Sequence, residues 1–242
     1  MNKSIRLLVL SLGMLILGAC GGGGGGGSTT AGSKPSTLTF PLAQAIANFV
    51  SSSHNYNYSV TGNVNGKSVT GSGTVSYAAA VGATFEGQPA LKNTITISGN
   101  VAAGGNTAPY AFTGEDYFTT NYDPLGSSGA GGVDYCVAQN NQTYPSTVKV
   151  GDTATIGTDN CYADSTKNAQ IENDVNSYLV EADSATSALV NLITNTYSLT
   201  STLQSTAQTR FRIDQNGNAN LVSVTFTDYT ASPATVLTFT VH

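Results

Sequence analysis

The chain has no tryptophan, only two histidines, three cysteines and a charged fraction of just 10%. Each shortage excludes something. Without tryptophan, the flat platform that often carries sugar rings is missing. With His54 and the C-terminal His242 as the only imidazoles, and no Cys-x-x-Cys spacing, a zinc-type site has too few ligands. The same scarcity leaves a Ser–His–Asp arrangement without a histidine inside any motif. Basic residues are also few, nine against fourteen acidic ones, and two of the nine, Lys3 and Arg6, lie at the extreme N-terminus. An acidic chain of this kind has no basic patch for nucleic acid or anionic headgroups. A bilayer-spanning run is missing too. The longest apolar stretch, Leu7 to Leu17, falls short of the roughly 20 residues that crossing requires.

That short stretch has a different use. Lys3 and Arg6 precede it and the small residues Gly18 and Ala19 follow, the layout of a secretory signal peptide over residues 1–19. Leu17-Gly18-Ala19-Cys20 resembles the lipobox of bacterial lipoproteins. The resemblance implies cleavage before Cys20, acylation of that cysteine and attachment to a membrane, which would be the protein's membrane partner. Gly21 stands where that family often carries an aspartate for inner-membrane retention, which implies the outer membrane of the cell envelope. Stable anchoring takes two or more acyl chains, and this family typically carries three. Residues 20–39, with seven consecutive glycines from Gly21 to Gly27, read as a flexible tether, because glycine loses most entropy on ordering and little here can be buried. Residues 40–242 then form the soluble domain. Losing Lys3 and Arg6 with the signal leaves the mature chain, tether included, near a net charge of −7.

Cys136 and Cys161 remain after the lipidated cysteine. An even pair in an exported chain is expected to form a disulfide. Closing that segment stabilises the fold by roughly 3.5 kcal/mol in the chain-entropy model.

Leu42, Ala45, Ile46, Phe49 and Val50 recur at helical spacing, predicting a short helix from about Pro41 to Ser52 with Pro41 at its first position. Beyond it the period becomes two. Tyr56, Tyr58, Val60 and Val64 share one face, and Asn65-Gly66 turns the chain toward Val69, Val75 and Tyr77. Further strands are predicted at Val81–Glu86, Asn93–Val101, Tyr110–Thr113 and Tyr117–Tyr122. From Asp123 to about Asn176 the alternation loosens, and Gly126 to Gly132 reads as a mobile loop. Five strands close the chain: Tyr178–Ala182, Ala188–Tyr197, Ala207–Asp214, Ala219–Tyr229 and Thr235–Val241. Short connections make them an antiparallel meander. The fold class is therefore mainly β, an antiparallel meander of ten to twelve strands with one short N-terminal helix, shaped as a curved sheet, an open barrel or a sandwich. In layout it resembles the Lol-type half-barrel carriers, which hold acyl chains in a concave sheet. It also resembles β-rich lipoproteins of proteobacteria, which implies no activity.

No catalytic motif survives inspection. Gly62 to Ser68 is one residue short of a P-loop and sits in a hairpin, where no helix N-terminus meets phosphate. Ser146-Thr-Val-Lys149 matches Ser-x-x-Lys but lacks its companion motifs and a helix. The chain therefore reads as a non-enzyme with no cofactor. Seven acids crowd between Asp152 and Asp183, and Asp159, Asn160 and Asp164 flank Cys161 as weak calcium candidates. A solvated acidic surface accounts for them better. Twelve tyrosines follow from strand propensity as readily as from a recognition surface. Two functions remain. One is a carrier of an apolar or amphiphilic ligand, with Gly62, Gly71, Gly73, Tyr58 and Val69 on its concave face. The other is a structural or surface protein that binds a macromolecular envelope partner. Strand glycines mark either close approach of a ligand or sheet curvature over a solid core.

Overall fold

The computed structural model describes residues 36–242. The signal, the lipobox with Cys20 and the glycine run lie outside the described residues. Along the chain run β1 (Thr39–Phe40), α1 (Leu42–Val50), β2 (His54–Val64), β3 (Lys67–Tyr77), β4 (Val81–Phe85), β5 (Gln88–Ala103), β6 (Asn106–Phe118), β7 (Pro124–Gly129) and β8 (Val133–Ala138). There follow β9 (Val148–Lys149), β10 (Thr153–Asp164), β11 (Gln170–Ala182), β12 (Ser187–Ser198), β13 (Leu203–Asp214), β14 (Ala219–Asp228) and β15 (Thr235–Val241).

The expected antiparallel meander is present, and it goes one step further than an open sheet. Neighbouring strands run β3-β2-β15-β14-β13-β12-β11-β10-β8-β7-β6-β5, and β3 then pairs with the second half of β5, from Tyr77↔Ile95 to Val69↔Ala103. Twelve strands thus close into a barrel with no free edge in its wall. The short β4 pairs with the first part of β5 and prolongs the wall at one end. The two-stranded β1–β9 ribbon lies apart from the barrel wall.

Six hairpin turns of the ring, from Asn65-Gly66 to residues 229–234, gather at one end, called here the hairpin end. The left-handed pairs Asn65-Gly66 and Gly104-Gly105 supply the positive φ angles that two-residue hairpins need. The opposite, plugged end carries α1, the remaining connections and the C-terminus. Leu42, Ala45, Ile46, Phe49 and Val50 are all buried, the face that helical spacing predicts. Phe49 meets Tyr77 and Phe211 edge-on at 5.1 and 4.9 Å. The Asn48 side chain donates to the Gly217 carbonyl at 2.9 Å, and the Ala43 N–H to Pro145 at 3.2 Å. Pro41 stands as the cap before the helix, one place earlier than predicted. Ordered structure starts before residue 40, since Ser36 is buried and Thr39 pairs with Lys149.

Two expectations are corrected. Most of the stretch from Asp123 to Asn176 is regular sheet, holding β7 to β10 and half of β11, with residues 139–147 as the longest exception. Gly126 to Gly129 belong to β7, with Ser127 and Ser128 buried, and only residues 130–132 turn. The small residues that suggest a loop are there because the wall is crowded. A Cβ on Gly126 would stand 2.2 Å from the Cys136 carbonyl oxygen. Likewise β6 is one strand where two were predicted, running straight through Gly114.

Cys136 and Cys161 do form a disulfide, joining directly paired residues of β8 and β10. It therefore ties two neighbouring strands within the regular wall.

Outward positions on β2 and β3 read Asn57, Ser59, Thr61 and Thr70, Ser72, Thr74, while inward ones read Tyr58, Val60, Val69 and Val75. A membrane-spanning barrel needs an apolar band on its outer face. On these strands the polarity is the reverse.

Candidate functional site

The barrel interior divides into two regions. Toward the plugged end, Val180, Val190, Phe211, Ile213 and Leu221 pack against α1 as a solid apolar core. Toward the hairpin end, lumen-facing Val64, Val101, Ala103, Tyr110 and Phe112 are only partly buried. These five stand on β2, β5 and β6 and form an apolar wall.

The expected concave-face residues lie on this side. Tyr58 and Val69 are buried and inward. The Tyr58 hydroxyl bonds that of Tyr110 and reaches the Ser98 carbonyl at 3.2 Å, and burial raises the pKa of both phenols. Gly62, Gly71 and Gly73 sit where backbones of adjacent strands crowd together. A Cβ on them would fall 2.0 to 2.3 Å from the carbonyl oxygens of Val236, Asn100 and Ser98. Neighbouring backbone fills the space a side chain would need, the close strand approach that sheet curvature requires.

The facing wall is acidic, and sequence reasoning missed most of it. Asp159 and Asp174 are direct cross-strand partners on β10 and β11, both buried and lumen-facing. Glu172 lies two residues along the same face of β11, opposite Cys161. Asp116 enters from β6, on the face of Gly114 and Phe118. The segment between β8 and β9 folds inward to meet them, burying Gln142 and Tyr144. Gln142 donates to Asp159 at 2.5 Å, and Asn176 donates to its other oxygen at 2.8 Å.

Burial sets the electrostatics. Desolvation raises the Asp159 pKa, with the Asn176 and Gln142 amides partly offsetting it. Asp174 stands well above the carboxylate range through burial and the nearby Glu172 charge, with the Thr196 hydroxyl opposing. A disulfide sulfur carries no proton, so the 3.4 Å approach of Cys161 Sγ to Asp174 is not a hydrogen bond. Burial, then Asp134, pushes Glu172 up to about 7. Burial alone lifts Asp116.

Of the seven acids between Asp152 and Asp183, three thus line the lumen and do not belong to a solvated surface. The others behave as that reading expects. Asp152 accepts from the Lys149 N–H, Asp164 caps Thr166, Glu181 pairs with Arg210 and Asp183 with Arg212. The calcium candidates do not converge. Asp159 faces the lumen, Asn160 the opposite side of the same strand, and Asp164 is exposed at the strand end. Asp159, Asp174 and Glu172 share the inward parity of Cys161 and Tyr178, but with a polar inward face there was no apolar alternation to mark it. Asp116 escaped because Gly114 looked like a break.

Among the described residues, one group of three metal-type ligands comes together, Cys136, Cys161 and Asp174, and its sulfurs are spent in the disulfide. His54 is committed to packing. It stacks on Phe49 at 4.1 Å, its Nε2 donates to the Phe49 carbonyl, and Nδ1 faces the Tyr56 hydroxyl. Ser59 Oγ and His242 Nε2 meet at 2.9 Å on the exposed outer wall, where no described carboxylate bonds the imidazole. Ser146 and Lys149 are exposed and carry no helix between them. A surface cleft of about 390 Å³ lies outside the lumen between Phe85, Asp123, Leu125, Val137 and Gln142. Comparison with family models, with curated proteins and with solved structures returns no match to this chain.

Proposed function

We propose that this is a lipid-anchored envelope protein whose barrel binds an amphiphilic small molecule without transforming it, entering at the hairpin end. One observation carries the binding reading. Five of the six large hydrophobic side chains exposed among the described residues, Val133, Ile171, Leu199, Tyr229 and Val236, stand at the hairpin end. They surround that end on its outer side, where Ile171 and Val236 alternate with the inward Glu172 and Thr235, and it is the end at which the lumen-facing apolar wall is only partly buried. Apolar surface around a concavity supplies both a path and a resting place for a molecule with an apolar body. The plugged end, filled by α1, offers neither.

A neutral, environment-sensitive apolar dye tests the reading. The mature chain should bind it saturably, and Phe112→Trp should shift or quench it, while Val81→Ser at the plugged end leaves binding unchanged. Without saturable binding, the exposed rim becomes a docking surface for a macromolecular envelope partner, the second reading. The anchor rests on Leu17-Gly18-Ala19-Cys20 alone. Cys20→Ser should abolish acylation and release the chain from membranes, and an acylated, processed Cys20→Ser chain would refute it.

A further inference from the structure

Among the described residues, the lumen holds several carboxylates and no lysine or arginine. Of the six described lysines and arginines, Lys92, Lys167, Arg210 and Arg212 are spent in surface pairs with Glu115, Glu86, Glu181 and Asp183. Lys67 and Lys149 are exposed. Nothing basic faces Asp116, Asp159, Glu172 or Asp174 from β6, β8, β10, β11, β12 or the inward-folded segment. Facing them are Asp134, Tyr144, Gln142, Asn176 and Thr196.

A second observation points to an occupant. Asp174 is 4% exposed, and its Oδ1 has no hydrogen-bond partner. On β15 the inward hydroxyl of Thr235, 5% exposed, is unpartnered as well. Buried polar atoms are nearly always satisfied, and an orphan inside a binding cavity marks a place for a donor from outside. Asp116 makes no side-chain hydrogen bond and keeps accessible surface, though it lies deep in the barrel.

We propose that the barrel takes an organic cation, an ammonium head held by Glu172 and Asp174 with an apolar body against Val64, Val101 and Phe112. This rests on the binding reading above and names its ligand class. An ammonium offers donors only, which is what a wall of acceptors lacks. Burial favours the protonated forms of these acids when no cation is near, and the charge of an ammonium favours the ionised forms, whose hydrogen bonds are about twice as strong as neutral ones. A divalent metal fits less well. It needs several oxygens within about 2.6 Å of one point. Among the described residues no three carboxylates approach one another that closely.

The test uses the mature chain, residues 20–242, carrying Cys20→Ser to keep it free of lipid, with calorimetric titration of octylammonium, octanol, octanoate, spermidine and calcium. Octylammonium should bind at one site at least about tenfold tighter than octanol, and octanoate should be weakest. The double variant Glu172→Gln/Asp174→Asn should retain octanol binding and lose most of the preference for the cation. Its circular dichroism should match wild type, because amides replace the acids at equal size. Asp174→Asn alone provides a milder second variant with the same expected direction. Equal affinity for octanol and octylammonium would overturn the cation while leaving the binding function intact. If none of the chain compounds binds, the binding function itself falls. Tight spermidine binding would identify a polyamine as the source of the ammonium. Calcium that displaces octylammonium from the same acids would overturn the proposal in favour of a metal.

Discussion

Gly73 on β3 and Gly99 on β5 are direct cross-strand partners beneath the hydroxyl of Tyr58. A Cβ on Gly73 would lie 2.1 Å from the Ser98 carbonyl oxygen and 2.5 Å from the Tyr58 hydroxyl oxygen. On Gly99 it would lie 2.5 Å from the Ser72 carbonyl oxygen. Two of the three clashes are with backbone, which cannot step aside as a side-chain tip can. Gly73→Ala should therefore cost about 3 kcal/mol, the upper end of overpacking penalties. Gly82→Ala serves as the control, because nothing lies within 4 Å of its Cβ position. It should change stability by no more than about 0.5 kcal/mol. Urea unfolding of both variants decides the matter, and a neutral Gly73→Ala would show that the corner is not closed by backbone contact.

Cys136 and Cys161 are 25 residues apart in sequence and adjacent in the wall. Their bond acts mainly on the unfolded chain, where it removes loop entropy worth roughly 3.5 kcal/mol. Reduction should lower the urea midpoint correspondingly while far-UV circular dichroism in buffer stays β-rich, because ladder hydrogen bonds hold both strands without it. A reduced chain that loses its sheet would show that the disulfide also specifies the pairing of β8 with β10.

The elements legible from sequence are those with one wet and one dry face. In β2, β3 and β13 to β15 strict alternation marks the strand, and the structure places them within a few residues of the prediction. The helix was equally clear, since Leu42, Ala45, Ile46, Phe49 and Val50 keep one spacing throughout. Alternation fails where the lumen is polar. In β10 and the first half of β11 the inward face carries Asp159, Cys161, Glu172, Asp174 and Asn176, so neither face looks apolar and the alternation loosens. The same chemistry hid the acidic wall. Closure of the barrel was not legible either, because it depends on β3 finding β5 across β4, and no local pattern reports a pairing that distant.

The buried acids give the fold an unusual dependence on pH. Glu172 moves from an ordinary 4.5 to about 7 because burial and Asp134 disfavour its charged form. A folded-state pKa above the unfolded one means that the native state holds its proton more tightly. That contribution is fully present below about pH 4.5 and is lost as pH rises toward 7, a change on the order of 3 kcal/mol. Asp116, Asp159 and Asp174 are raised too and act in the same direction. Surface carboxylates oppose this only at lower pH. Hydrogen bonds from Arg212 and Lys167 hold Asp183 and Glu86 below their usual values, so their contribution disappears as pH falls through those values. The barrel should therefore be most stable near pH 4 to 5, and its melting temperature should rise on going from about pH 8 to about pH 5. Glu172→Gln removes the titration and should flatten that slope, raising stability at pH 8 more than at pH 5. Calorimetric melting of both proteins across this range provides the measurement. A wild-type melting temperature that climbs from pH 5 to pH 8 would mean that the lumen acids are ionised and paired in the native state.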